Sequence, residues 1–332
     1  RKRILKIWKD GTYMKMILDV DTGIDDALAI AYALGSEEAQ LIGVTCCFGN
    51  VTVDKAVQNT LRVLRLFGAG EIPVYAGAPE MFTGKEFVPN EVCKRVHGLN
   101  GIGEIELPEA DKGAEEKDAA AFMAEMAQKY GKELVIVATA AMTNLARFIR
   151  QYPEEAAKVG RISVMGGAVT VPGNVNRFAE ANILADPEAA KFVLESGINL
   201  LMVGLDVTLK TMMSAGAMEE RIRPWTADGN EPGCKMAAMV HYYCSHEIGE
   251  EGSREGAIHD PLAVAAVLHP EFVETVELNL TAETDGESRG RTIGDLKRIK
   301  QREKTVKVCV DVNTELFLKD FVSSVQKAIH RI

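Results

Sequence analysis

Ile17-Leu18-Asp19-Val20-Asp21-Thr22-Gly23-Ile24-Asp25-Asp26-Ala27 is the stretch on which the reading of the chain turns. The apolar run Met16–Val20 predicts a buried strand. Asp19 and Asp21, two apart at its end, project from one face. Gly23 permits a tight turn, and Asp25 or Asp26 falls at the start of a helix predicted over Asp26–Leu34. There a carboxylate caps free N–H groups and meets the positive end of the helix dipole. Four carboxylates crowded between positions 19 and 26 resist ionisation beside a buried sheet unless something compensates them. Hard divalent cations with oxygen ligands supply that compensation.

Outward from this segment, short β-rich runs alternate with helical periods. Strands are predicted over Leu41–Cys46, Pro73–Tyr75, Leu134–Ala138, Arg161–Met165 and Asn199–Gly204. Helices are predicted over Lys55–Phe67, Lys117–Tyr130, Thr143–Tyr152 and Pro187–Ser196. This rhythm signals βαβ units and a parallel sheet. The fold class is α/β: a mostly parallel, Rossmann-like open sheet flanked by helices, whose ligands bind beyond the carboxyl ends of the strands. After about residue 210 the pattern turns helical (Met212–Trp225, Cys234–Glu247, Pro261–Leu268). Hairpin-like strands follow near Val273–Thr281 and Thr305–Val310, and a helix over Thr314–Ile329 closes the chain. Gly77–Lys117 is poor in regular signals, and a loop that long is usually functional, here read as a lid. No linker marks a boundary, so residues 14–332 read as one domain behind an N-terminal extension, 1–13, with five cations against Asp10.

The 332 residues carry 38 Lys plus Arg against 48 Asp plus Glu, a formal charge of −10. That excess argues against general nucleic-acid binding, which rests on cations neutralising phosphates. No apolar run approaches the roughly 18 residues of a membrane span, so neither nucleic acid nor membrane is an expected partner. Six cysteines without metal-ligand spacing read as reduced thiols and suggest a cytoplasmic protein.

Several chemistries begin with paired aspartates. A calcium-binding EF-hand loop needs Gly at its sixth position and Glu at its twelfth, where this chain has Ile24 and Ile30. A haloacid-dehalogenase-type phosphatase opens with a strand ending Asp-x-Asp-x-Thr/Val, and this chain has Asp19-Val20-Asp21-Thr22, but that chemistry also requires a Lys and a late acidic pair. Downstream strand ends carry a different set: Gly49-Asn50, Thr139 to Asn144, Met165-Gly166-Gly167, Gly173-Asn174, Glu180-Ala181-Asn182, Asp186-Pro187 and His259-Asp260-Pro261. Together with the acidic cluster, these resemble the inosine–uridine-preferring nucleoside hydrolase family, in order from Met16 to beyond Pro261.

The resemblance implies a calcium-dependent enzyme of nucleoside catabolism and salvage, splitting ribonucleosides into ribose and free base. Ca2+ would be held by Asp21, Asp26, the Thr139 carbonyl and Asp260, with Asp21 also the general base on the attacking water. Asp25, Asn50, Asn174, Glu180 and Asn182 look like ribose-hydroxyl binders, His97 like a loop histidine near the base, and His259 like the acid that protonates the leaving group. The chemistry is consistent: carboxylates stabilise an oxocarbenium-like state, and a group titrating near neutrality suits a departing base. The expected partners are a small ribonucleoside and further copies of the chain, as a dimer or tetramer. A non-catalytic nucleoside or ribose binder is the alternative from another class. It is motivated by Ala181, where the family commonly has an aromatic residue, and by Glu247, where relatives supply another. Base stacking would then fall to Tyr243, His246 or the lid. Asp186 reads as a helix cap, Asn144 as either a turn residue or a backbone brace, and His241, His246, His269 and His330 as ordinary histidines.

Overall fold

A computed structural model describes residues 13–246 and 255–331. Residues 1–12, nearly all of the expected N-terminal extension, and Glu247 lie outside the described residues. The strands are β1 (Met14–Val20), β2 (Ala39–Cys46), β3 (Val74–Ala76), β4 (Leu134–Ala138), β5 (Arg161–Met165), β6 (Leu200–Val203), β7 (Met213–Ser214), β8 (Glu255–Gly256), β9 (Val273–Leu278), β10 (Leu280–Ala282), β11 (Thr292–Gly294) and β12 (Val306–Val312). Eight of them form one sheet in the order β3-β2-β1-β4-β5-β6-β12-β9. Only the edge pairing of β12 with β9 is antiparallel. β7 pairs with β8, and β10 with β11, as two small antiparallel pairs.

The helices are α1 (Ile24–Gly35), α2 (Val53–Leu66), α3 (Glu91–His97), α4 (Ala119–Tyr130), α5 (Thr143–Gln151), α6 (Pro153–Ala156), α7 (Ala181–Ala185), α8 (Pro187–Glu195), α9 (Leu205–Thr208), α10 (Ala215–Ile222), α11 (Glu231–His246), α12 (His259–Leu268) and α13 (Thr314–Ile329). Because side chains alternate across a strand, β1 feeds two cores. Met16, Leu18 and Val20 pack with apolar residues of α1, α12 and α13 on one face. Ile17 packs with α4, α5 and α8 on the other. With both faces covered, all five residues of β4 are buried, the pattern of a central parallel strand. α1 is buried along its length except at Leu34, so the acidic cluster at its start is anchored in the core. Among the described residues no helix is long and apolar enough to cross a membrane.

Three local departures from the expected elements have identifiable causes. The predicted lid carries a helix, α3, because the Asn90 side chain accepts from the Cys93 N–H at 2.9 Å and Val92, Cys93 and Val96 provide an inward face. The expected strand Val273–Thr281 divides at Asn279. Its buried amide donates to the carbonyls of Arg298 and Glu303 and turns the chain out of the large sheet. The expected helix Met212–Trp225 starts only after Ser214, whose hydroxyl caps α10, and tightens into a 3-10 turn over Arg223–Thr226, where Pro224 removes a donor.

Candidate active site

In the sequential order of strands, the direction of growth reverses between β1 and β4, and crevices at such switch points hold ligands. Asp21 directly follows β1 and Thr139 directly follows β4. The Thr139 N–H donates to the Asp19 carbonyl at 2.8 Å, and the Cys47 N–H to the Val20 carbonyl at 2.8 Å, so three strand ends are locked together.

Asp19, Asp21, Asp25, Asp26 and Asp260 are all buried here. Asp25, Asp26 and Asp260 each bring a carboxylate oxygen within 4.8 Å of the others. Asp26 accepts from the Thr139 hydroxyl at 2.7 Å and from the Gly23 N–H at 2.9 Å. Asp21 lies beside Asp26, and its Oδ2 accepts the Asn50 N–H at 2.5 Å. The closest triplet thus contains Asp25, expected at the sugar, while Asp21 flanks it. Burial raises the Asp21 and Asp260 carboxyls well above their ordinary range, and the neighbouring aspartates push them further. Burial likewise takes Asp19 up to about 7, against hydrogen bonds from Asn144 and Thr45.

Asp260 is the direct test of whether these residues fit a metal ion. Asp before Pro is normally a helix cap, and Asp186 behaves so, accepting the Ala189 N–H at 3.1 Å. α12 instead begins at His259, one residue before Asp260, so Asp260 sits inside the first turn and caps nothing. Its Oδ2 is buried with no hydrogen-bond partner among the described residues. A buried, unpaired carboxylate oxygen facing two other carboxylates fits a hard cation with oxygen ligands.

Apart from Asp21 and Asp26, all the expected site residues line one cavity of about 120 Å³. The Asn182 amide donates to the Thr139 carbonyl at 2.8 Å and holds the expected metal-facing oxygen in place. Glu180 is less free than a sugar binder would be. It caps α7 through the N–H groups of Asn182 and Ile183, and its Oε2 also accepts the Gly167 N–H. Exposed Asn174 accepts the Ala181 N–H at 3.1 Å. His97, the last residue of α3, accepts the Ile24 N–H on Nδ1 at 3.1 Å. Burial, with His259 nearby, lowers His97 to about 3, so it is a neutral imidazole. His259 Nδ1 lies 2.8 Å from the Thr208 hydroxyl, which fixes the ring from behind.

Several contributors had no clear sequence signal. Cys93, Arg95 and Val96 of α3 line the cavity, and only the Asn90 cap with apolar residues at 92 and 96 could have revealed that helix. Thr208 is the last residue of the short helix α9, which follows β6. Tyr243, buried and 5.7 Å from the His97 ring, supplies aromatic surface. His246 instead stacks on Tyr242. Asn144 is a brace, donating to Asp19 at 2.8 Å and to the Cys46 carbonyl at 3.0 Å.

The backbone passes very close to Asp21. A Cβ on Gly49 would stand 1.9 Å from Asp21 Oδ2. Gly49→Ala is therefore expected to displace that carboxylate, at roughly 1–3 kcal/mol of overpacking. Steady-state kinetics should show kcat reduced about tenfold or more with the circular dichroism of the folded protein retained. An unchanged kcat would mean that the position of Asp21 is unimportant.

Comparison with known proteins gives this geometry its context. The profile described as "Inosine-uridine preferring nucleoside hydrolase" matches residues 16–319. The chain is 36% identical over 307 residues to the pyrimidine-specific ribonucleoside hydrolase RihA of Salmonella arizonae, covering 92% of this chain and 96% of the relative. It is 35% identical to uridine nucleosidase 1 of Arabidopsis thaliana, over 87% of this chain and 84% of the relative. Among solved structures, a purine-preferring ribonucleoside hydrolase from Gardnerella vaginalis superposes with a TM-score of 0.90 at 40% identity, covering 95% of this chain and 99% of the other. A switch-point crevice with clustered carboxylates, matched along nearly the whole chain, leaves one conclusion: this protein is a nucleoside hydrolase and belongs to the inosine-uridine preferring nucleoside hydrolase family.

Proposed function

We propose that the chain hydrolyses the N-glycosidic bond of ribonucleosides, releasing ribose and free base, with calcium held by Asp26, Asp260, the Thr139 carbonyl and Asp21 or Asp25. The observation that carries this reading is the buried triplet Asp25, Asp26 and Asp260 in one cavity with amide side chains and His259. Calcium bound there would neutralise the cluster and act as a Lewis acid toward oxygen ligands such as a sugar diol and a water.

The chain's own groups do the rest. Asp21 takes a proton from the attacking water. The buried carboxylates stabilise positive charge that develops on the sugar ring as the C1′–N bond lengthens. Asp25, Asn50, Asn174 and Asn182 form the sugar wall, with Glu180 bracing it through α7. The base then lies toward His97, Tyr243 and His259, and His259 delivers its proton. Helix α3 lines one side of the cavity and would limit bulk water at the reacting carbon. Because one relative is named for pyrimidines and another for purines, the reading takes ribonucleosides of both kinds.

The test is a product assay on uridine, cytidine, inosine and adenosine, with calcium and with excess chelator. Ribose release is expected with calcium, falling roughly 100-fold or more on chelation and recovering on calcium addition. Tight binding of intact nucleoside without ribose release would make the protein a binder instead. Release that ignores the chelator would remove the metal from the reading.

A further inference from the structure

The cavity that holds Asp25 and Asp260 also carries a cation. Arg95 of α3 is the one Lys or Arg among the described residues that line it. It is exposed, whereas the other α3 residues lining the cavity, Val92, Cys93, Val96 and His97, are buried or half-buried. Arg95 therefore stands where the cavity opens to solvent. The acids lining the same cavity, Asp25, Glu180 and Asp260, are all buried. The other exposed lining residue, Asn174, carries no charge.

Arg95 has no ion pair or side-chain hydrogen bond among the described residues, and the helix explains why. Glu91, four residues earlier, is its natural partner, because an acid ahead of a cation at that spacing is the favoured orientation. Glu91 instead pairs with Lys94 at 2.7 Å, which leaves the guanidinium without a counter-charge. By contrast Arg62, Arg65, Arg221 and Arg289 each have a carboxylate within 3.0 Å. A free guanidinium keeps its full charge and a fork of N–H donors that matches a carboxylate.

We propose that Arg95 receives an anionic substituent on the nucleobase, so that ribonucleosides whose base bears a carboxylate on the edge remote from the sugar are substrates. The inference rests on the nucleoside-hydrolase reading given above and names a substrate class for it. With the sugar drawn to the aspartates, the base lies toward His97, Tyr243 and His259, which line the same cavity as Arg95. His97 and Arg95 are two residues apart on one short helix, so the outer edge of a base beside His97 comes within reach of the long arginine stem. Val92, Val96 and Val175 also line the cavity and offer an anion no hydrogen bond. A carboxylate at the opening stays partly in water, away from the buried aspartates, so its desolvation costs little. The reaction is otherwise unchanged. The water oxygen bonds to C1′, the C1′–N bond breaks, the base leaves carrying a proton, and its carboxylate takes no part.

The experiment compares kcat/KM for 5-carboxymethyluridine with its amide, 5-carbamoylmethyluridine, and for 6-N-(carboxymethyl)adenosine with its amide, in whichever series the parent nucleoside is hydrolysed. Acid and amide have nearly the same shape, so their ratio reads charge. The acid should be favoured about fivefold, the upper range for an exposed ion pair, and the advantage should fade as salt rises toward about 1 M. In Arg95→Gln the ratio should fall to about one or below, while Arg95→Lys, which keeps the charge, should retain part of it. Because the ratio is read within one variant, partial misfolding does not mimic the result. If the parent is hydrolysed but the acids are no better than the amides, or if Arg95→Gln leaves the ratio unmoved, the inference falls while the hydrolase reading stands. A preference for uridine 5′-monophosphate over uridine that disappears in Arg95→Gln would put the anion on the sugar and overturn the inference as well. Turnover of none of the compounds overturns both readings.

Discussion

Asp260→Asn is expected to abolish ribose release and the calcium-induced rise in Tm together. The substitution keeps the shape of the side chain but removes one of three charges whose oxygens lie within 4.8 Å of one another. A ligand present at about 100 times its Kd adds about 2.7 kcal/mol to folding stability. For a chain of 332 residues that corresponds to a shift of about 4 °C. The wild type should show this shift on calcium addition and the variant should not. The metal-free proteins should differ in the opposite sense. The folded-state pKa of Asp260 is raised by burial and by Asp25, Asp26 and Asp21, so its ionised form opposes folding. Metal-free Asp260→Asn should therefore melt higher than metal-free wild type at alkaline pH. The advantage should disappear as pH falls through the raised pKa and the wild-type carboxyl takes up its proton. Differential scanning fluorimetry across pH, with and without calcium, reads both effects. A variant that still gains stability from calcium would remove Asp260 from the metal site.

Asp260 also shows where the sequence was informative and where it was not. The βαβ rhythm, the switch-point position and the carboxylate cluster were legible because buried parallel strands and clustered acids leave strong local signals. The two Asp-Pro pairs were not separable by themselves. Asp186 caps α8 and Asp260 does not, and the difference is where each helix starts: α8 one residue after its Asp, α12 one residue before. Glu180 read as a polar sugar contact, whereas its position before Ala181-Asn182-Ile183 also satisfies the geometry of a cap. Thr208 behind His259 and Asn144 behind Asp19 join residues 51 and 125 positions apart. No periodicity or spacing reports contacts of that range. α3 was missed for a different reason: at seven residues it is too short for a helical period to stand out from a loop.

Asp21→Asn should separate chemistry from metal binding. Asp21 stands next to Asp26, outside the closest triplet, with Oδ2 fixed by the Asn50 N–H and the Gly49 backbone pressed against it. An asparagine can keep the Asn50 hydrogen bond through its carbonyl oxygen, so the local geometry should survive. It cannot accept a proton from water. Removing a positioned general base lowers rates by roughly 100- to 10,000-fold, and a fall in kcat of about 1,000-fold is expected here, with KM changed far less. The shift in Tm on adding calcium should persist, because Asp25, Asp26 and Asp260 remain. That pattern contrasts with Asp260→Asn, which loses both signals, and the contrast assigns each carboxylate from measurement. If Asp21→Asn loses the calcium shift as well, Asp21 is a ligand of the same rank as Asp260. A kcat within tenfold of wild type would instead leave the base to be found among Asp25 and the neighbouring carboxylates.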